Sequence, residues 1–190
     1  MAMSVVDNFN LMVSNITSCI PKGNKNSNIS WEQLAEICAI LSKCAEKVKL
    51  DDNGLVPFGR YLVFQNDEFN IQLDVFSQNY VGAPHNHETW GVMCCVSGEL
   101  GVSDYILSGS ELQLIRKGLL KSGSAIGFKK KNDWHSTETF GGDQVASLHV
   151  YGRNFDMDKG FRYSNSTGIE RYERGKLNHL SEITNILIEG

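Results

Sequence analysis

The chain has 190 residues, of which 41% are hydrophobic and 21% charged, with a formal net charge of -4. That length suits one ordinary domain, which buries roughly 70% of its unfolded surface and needs neither disulfides nor a structural metal merely to stay folded. The mildly acidic balance gives no global basic field, so neither nucleic acid nor a membrane surface is expected as a partner; Lys129-Lys130-Lys131 is the one basic cluster and reads as a solvated turn.

The start, Met1-Ala2-Met3-Ser4-Val5-Val6-Asp7, lacks the basic and apolar regions of a signal peptide, and no apolar stretch approaches bilayer length. A cytoplasmic protein is therefore expected. Five cysteines without CxxC spacing suit reduced thiols. Cys94 and Cys95 are adjacent, so in a strand they face opposite ways and cannot share one ion.

A helix is expected over Asp7 to Ile20, closed by Pro21-Lys22-Gly23-Asn24 and its Asn/Ser-rich continuation. A clearer one begins at Ser30, where Ser30-Trp31-Glu32-Gln33 has the form of a capping box. Leu34, Ile37, Cys38, Leu41, Cys44, Ala45 and Val48 then recur at helical spacing, which predicts one buried face.

From about Leu55 the period turns to alternation. Tyr61-Leu62-Val63-Phe64 and Ile71-Gln72-Leu73-Asp74-Val75-Phe76 flank Gln65-Asn66-Asp67-Glu68 and read as a hairpin. Further β runs are Gly91 to Val96, Gly101 to Leu107, Leu112 to Ile115, Ser124 to Phe128 and Gln144 to Tyr151. After Tyr151 the pattern loosens, and Leu177 to Ile188 reads as a last short helix or an extended tail. Many short strands without long helices between them indicate a barrel or sandwich. The expected organisation is a helical extension over residues 1-52 packed on a β barrel over 53-190, together one structural domain.

Four of the five histidines fall in Pro84-His85-Asn86-His87-Glu88-Thr89-Trp90-Gly91, in Trp134-His135 and in Ser147-Leu148-His149-Val150-Tyr151. In a strand, His85 and His87 lie on one face and can aim both imidazoles at one point, with Pro84 stiffening the approach and Gly82 and Gly98 supplying permissive backbone. Two imidazoles plus a third from a facing strand leave about three positions open on an octahedral ion, as a catalytic metal requires. By context alone the third ligand is His135 or His149. Ser147, His149 and Tyr151 share one strand face and form a potential hydrogen-bonded row suited to proton handling or substrate orientation. His179 has no such context, and Trp90 reads as barrel packing.

These segments resemble the cupin superfamily, whose first motif has two histidines one residue apart, a glutamate shortly after and a closing glycine. His85, His87 and Gly98 fit, but Gly91 stands at the glutamate position. In the second motif Lys130 and Asn132 stand where proline and glycine are common, with His135 in place. Three histidines without the carboxylate, and the Ser147-x-His149-x-Tyr151 row followed by Phe155-Asp156, are similar to the thiol dioxygenase branch, comprising cysteine dioxygenase and 3-mercaptopropionate dioxygenase. Pro84-His85-x-His87-x-x-Trp90-Gly91 is most similar to the mercaptopropionate and bacterial enzymes. The similarity runs from about Phe58 to Asp156.

The resemblance implies a mainly β cupin double-stranded β-helix and Fe(II) held by His85, His87 and His135. It also implies an outer row of Ser147, His149 and Tyr151 with catalytic roles, and substrate carboxylate bound by Arg60, assisted by Tyr151. Arg153 and Arg162 are weaker candidates, since the mercaptopropionate enzymes tend to use a later arginine. The cysteine that animal cysteine dioxygenases crosslink to the row's tyrosine corresponds to Gly91, so no crosslink is expected. The implied partners are a small thiol and O2, with a monomer or small homo-oligomer as the assembly. Two other readings compete: a non-catalytic cupin that binds metal or a small acidic ligand, and a metal-dependent cupin enzyme acting on another small thiol, such as an amine-thiol without a carboxylate.

Overall fold

The computed structural model describes residues 5–20, 29–50, 56–130, 134–141, 144–153, 159–173, 177–179 and 186–188. Two helices come first, α1 (Val5–Cys19) and α2 (Trp31–Ala45), followed by strand β1 (Val48–Leu50). The strands that follow are β2 (Gly59–Gln65), β3 (Asn70–Ser77), β4 (Gly91–Ser97), β5 (Glu99–Ser108), β6 (Glu111–Lys121), β7 (Ala125–Phe128), β8 (His135–Phe140) and β9 (Gln144–Tyr151). Four short strands close the chain: β10 (Lys159–Ser164), β11 (Gly168–Glu173), β12 (Asn178–His179) and β13 (Ile186–Ile188).

Helix α2 starts where its capping box requires. Ser30 Oγ accepts from the Gln33 amide at 3.1 Å, and Gln33 Oε1 accepts from the Ser30 amide at 2.9 Å. Gln33 Nε2 also donates to the Cys19 carbonyl, tying the two helices together. Leu34, Ile37, Leu41, Cys44 and Ala45 are its buried face and Cys38 is half-buried. Val48, assigned from the spacing to this helix, instead begins β1 and pairs with Ile188, because the backbone turns at Glu46 and Lys47. The Pro21-Lys22-Gly23-Asn24 linker lies outside the described residues.

One sheet has six strands in the order β12-β2-β3-β9-β4-β7, and a second has three in the order β6-β5-β8. The segment from Val81 to His85 adds to the second sheet through bridges Val81↔Glu138 and His85↔His135. Counting that segment, eight strands divide as β3-β9-β4-β7 and (81–85)-β8-β5-β6, in chain order 1-8-3-6 and 2-7-4-5. That is the jelly-roll order, so the fold is the mainly β, double-stranded β-helix of cupin type.

The central strands β3, β9 and β4 of the six-stranded sheet are buried on both faces, and strict alternation sorts their residues. Ile71, Leu73 and Val75 of β3, Val92, Cys94 and Val96 of β4, and Ala146, Leu148 and Val150 of β9 pack outward against Leu34, Ile37 and Leu41 of α2 and Met12 and Ile16 of α1. The inward face carries Met93 and Cys95 of β4 and Val145 of β9, which meet Leu100 and Val102 of β5. Cys94 and Cys95 thus enter different cores, and all five cysteines are free thiols. Toward one end of the barrel the inward face changes character, to Gln72 and Asp74 on β3 and Ser147, His149 and Tyr151 on β9.

Several expectations need correction. His85 and His87 are not in a regular strand: residues 82–90 are irregular apart from the His85 bridges, and Glu88 takes a left-handed φ of 53°. Strand β6 is far longer than Leu112 to Ile115. Strand β8 is not among the β runs given bounds from the sequence, although a strand entry at His135 is, and the antiparallel β10–β11 hairpin was not foreseen. The described parts of the Leu177–Ile188 region are the short strands β12 and β13, not helix. Phe155-Asp156 and Lys131-Asn132-Asp133 lie outside the described residues. Among the described residues no helix is long and apolar enough to cross a membrane.

Candidate metal centre

The irregular histidine segment is held from both sides by backbone. The His85 amide donates to the His135 carbonyl at 2.8 Å, and the His135 amide returns the bond at 2.9 Å. On the other side the Asn86 amide donates to the Phe161 carbonyl, the Phe161 amide to Asn86 Oδ1, and the Tyr163 amide to the Pro84 carbonyl. The β10–β11 hairpin therefore fixes a stretch that carries no ladder of its own. Gly160 allows this approach, since a side chain there would collide with the Asn86 carbonyl.

The result brings His85, His87 and His135 together, each offering a nitrogen within 4.8 Å of the other two. Their ring centroids are 4.6 to 5.2 Å apart. His87 and His135 are buried, and His85 is half-buried at the cavity edge. His85 Nδ1 lies 2.9 Å from the Ala83 carbonyl; as donor there, it leaves Nε2 as the lone-pair nitrogen.

Facing them from β9 is the Ser147-His149-Tyr151 row. Ser147 Oγ is 2.6 Å from His149 Nε2, and His149 Nδ1 is 2.9 Å from Tyr151 Oη, with all three side chains buried. The Tyr151 ring lies 4.3 Å from that of His87, so the row ends against the histidine cluster. Geometry thus separates what context left open: His135 converges with His85 and His87, and His149 belongs to the row.

Gly91 explains the missing carboxylate sterically. A Cβ there would come within 2.7 Å of Phe128 Cε2 and closer still to Cζ. The Phe128 ring fills this volume and packs against His135, His87 and Tyr151 at centroid separations of 4.9, 5.9 and 6.3 Å. Trp90, next to Gly91, is buried in the helix-side core, as expected of a packing residue.

A cavity of about 290 Å³ opens beside the cluster, with Arg60, Asp74, His85, His135, His149 and Tyr151 in its wall. Arg60 reaches it from β2, directly opposite Asp74 in the β2–β3 register. Arg162 also lines it, while its Nε donates to Glu170 at 3.0 Å on the solvent side. Arg153 does not line it: its guanidinium donates to the Glu88 carbonyl at 2.6 Å and clamps the histidine segment. Asp74 was not foreseen. Its carboxylate is buried 3.8 Å from His149 Nε2, and its inward strand parity next to Arg60 was the available signal. Phe128 was missed too, and a glycine opposite an aromatic across two strands was its sign.

Three neutral imidazoles that converge at the wall of a small cavity are a donor set suited to a divalent transition ion, Fe(II) among those that imidazole serves. Fold and site together define a cupin-type barrel with a three-histidine centre. No family model matches the chain, and no curated protein does. Among solved structures it is similar to KdgF from a Halomonas species, at 23% identity over 52% of this chain and 81% of that one with a TM-score of 0.40. It is also similar to a cupin superfamily protein from Desulfitobacterium hafniense, at 14% identity over 53% and 80% of the two chains with a TM-score of 0.40. A third is oxalate oxidase in complex with the substrate analogue glycolate, at 14% identity over 55% and 56% with a TM-score of 0.41. Likeness this partial leaves the chemistry to the chain's own residues.

Proposed function

We propose that the protein is a non-haem Fe(II)-dependent thiol dioxygenase, converting a small thiol and O2 to a sulfinate. The observation that carries this reading is the three-histidine cluster with its carboxylate position closed by Phe128 and the Ser147-His149-Tyr151 row beside it. His85, His87 and His135 would hold the iron. Bound there by neutral ligands only, it would keep its full dipositive charge, favour an incoming thiolate and admit dioxygen, so that sulfur takes up both oxygen atoms.

The remaining work falls to the chain's own groups. Arg60 grips a substrate carboxylate in bidentate fashion and so sets which end of the molecule faces the histidines. Tyr151 Oη donates a hydrogen bond toward the reacting end. His149 Nδ1 holds or returns the phenol proton, and Ser147 Oγ fixes the imidazole from its other nitrogen. The buried setting of the row keeps bulk water from competing for these bonds.

The test is oxygen uptake and sulfinate formation by iron-loaded protein with L-cysteine and with 3-mercaptopropionate. Sulfinate from at least one thiol is expected, with its loss in His87→Ala. No sulfinate from either thiol, or undiminished turnover in His87→Ala, overturns the proposal.

A further inference from the structure

Two of the three clustered histidines are fixed by each other's backbone, His85 and His135 exchanging amide bonds at 2.8 and 2.9 Å. His87 lies two residues past that bridge, and three anchors that follow it come from the residues just beyond β9. Arg153 Nη2 donates to the Glu88 carbonyl at 2.6 Å, Thr89 Oγ1 donates to the Gly152 carbonyl at 3.0 Å, and the Gly152 amide donates to the Trp90 carbonyl at 3.0 Å. Gly152 lets the two segments close up, since a side chain there would strike the Trp90 indole. Arg153 is held in turn. Asn70 Nδ2 donates to its carbonyl at 2.6 Å, and Gln72 Nε2 donates to Asn70 Oδ1 at 2.6 Å, with both amide side chains fully buried on β3.

Glu88, the residue next to His87, has a φ of 53°, a left-handed conformation that a glutamate keeps only where its surroundings impose it. Relaxation to the right-handed region would swing its carbonyl away from Arg153 and turn the backbone that carries the His87 imidazole. We propose that Arg153 is a positioning residue of the metal centre: by capturing the Glu88 carbonyl it keeps that turn left-handed, holds His87 in the cluster and so sets metal affinity from outside the ligand set. The proposal rests on the three-histidine centre and not on the choice of thiol.

The test is cobalt(II) binding to the metal-free full-length chain, with dissociation constants taken from visible absorption and chelator competition, and urea unfolding of the metal-free forms beside it. Arg153→Met should weaken cobalt by about 10–100-fold, the usual effect of losing a group that orients a metal ligand, and Arg153→Lys by less. Adding Glu88→Gly to Arg153→Met should recover part of that affinity, because glycine takes the left-handed conformation without a clamp. A merely structural arginine would instead cost metal-free stability that a glycine does not repair. Parent-level affinity in Arg153→Met overturns the proposal, and so does a loss that Glu88→Gly leaves in full. If no arginine variant folds, Glu88→Gly and Glu88→Val decide: equal cobalt affinity in the two overturns the proposal, since a β-branched residue resists the turn through which the clamp acts. No cobalt bound by the parent overturns the three-histidine centre and this proposal together. Arg153-dependent cobalt binding without sulfinate from the iron-loaded protein leaves the proposal standing and sinks the dioxygenase.

Discussion

Replacing Gly91 by alanine adds one methyl group in the space that the Phe128 ring fills. The backbone of Gly91 is not left-handed, so alanine brings no φ strain and the whole effect is steric. The added Cβ falls within 2.7 Å of Cε2 and 3.0 Å of Cε1, well inside contact distance, and the ring is hemmed in by His87, His135 and Tyr151. Overpacking of this kind costs about 1–3 kcal/mol. At roughly 2–4 °C per kcal/mol for a chain of this size, Tm should fall by about 2–12 °C. Urea unfolding of four proteins, namely the parent, Gly91→Ala, Phe128→Ala and the double variant, isolates the contact. In the Phe128→Ala background the methyl group has room, so the coupling energy should equal nearly the entire Gly91→Ala penalty. If Gly91→Ala costs the same in both backgrounds, Phe128 is not what closes the position. By the same logic, Gly91→Glu alone should give no four-ligand centre.

Other consequences can be checked more briefly. Ser147→Ala removes a 2.6 Å buried hydrogen bond and should cost about 1–3 kcal/mol in urea unfolding, while iron content after dialysis stays at the parent level; His87→Ala should lose iron instead. Ser30→Ala should destabilise by about 1 kcal/mol through loss of the capping box, read from the unfolding midpoint. Burial pushes the Cys94 thiol up to about 12 and Cys95, Cys38 and Cys44 to about 11. These thiols bind protons in the folded state that the unfolded chain releases above about pH 9, so their contribution to stability should be flat below pH 9 and fall between about pH 9 and 12. Thiol titration at pH 8 should accordingly show slow labelling without denaturant; rapid labelling of Cys94 would contradict the burial.

Where sequence and structure agree, one periodicity served one buried face. Helix α2 was legible because its cap and apolar stripe are local. The Ser147-His149-Tyr151 row was legible because β9 is regular and parity alone sets its inward face. The extent of strand β8 escaped because its inward residues are His135, Thr137 and Thr139: the barrel mouth is polar, and the alternation has no apolar half. The β10–β11 hairpin escaped because part of its pairing is with an irregular segment some 75 residues earlier, which no local pattern encodes. His85 and His87 were placed on one face by strand parity and do converge, but bridges to β8 and β10 on either side hold them there. The convergence of the histidines was thus anticipated by a rule that their backbone only partly obeys.

The pairing of residues 85 and 135 has a consequence for how the protein is made. One donor of the cluster emerges fifty positions after another, and the Arg153 clamp on Glu88 closes a loop of 65 residues. Contacts this far apart in sequence must wait for long loops to close, and they form late. A growing chain that has released only β2 to β7 displays His85 and His87 without their third partner. The three-histidine cluster is therefore a property of the finished barrel, and it cannot assemble before β8 has left the ribosome.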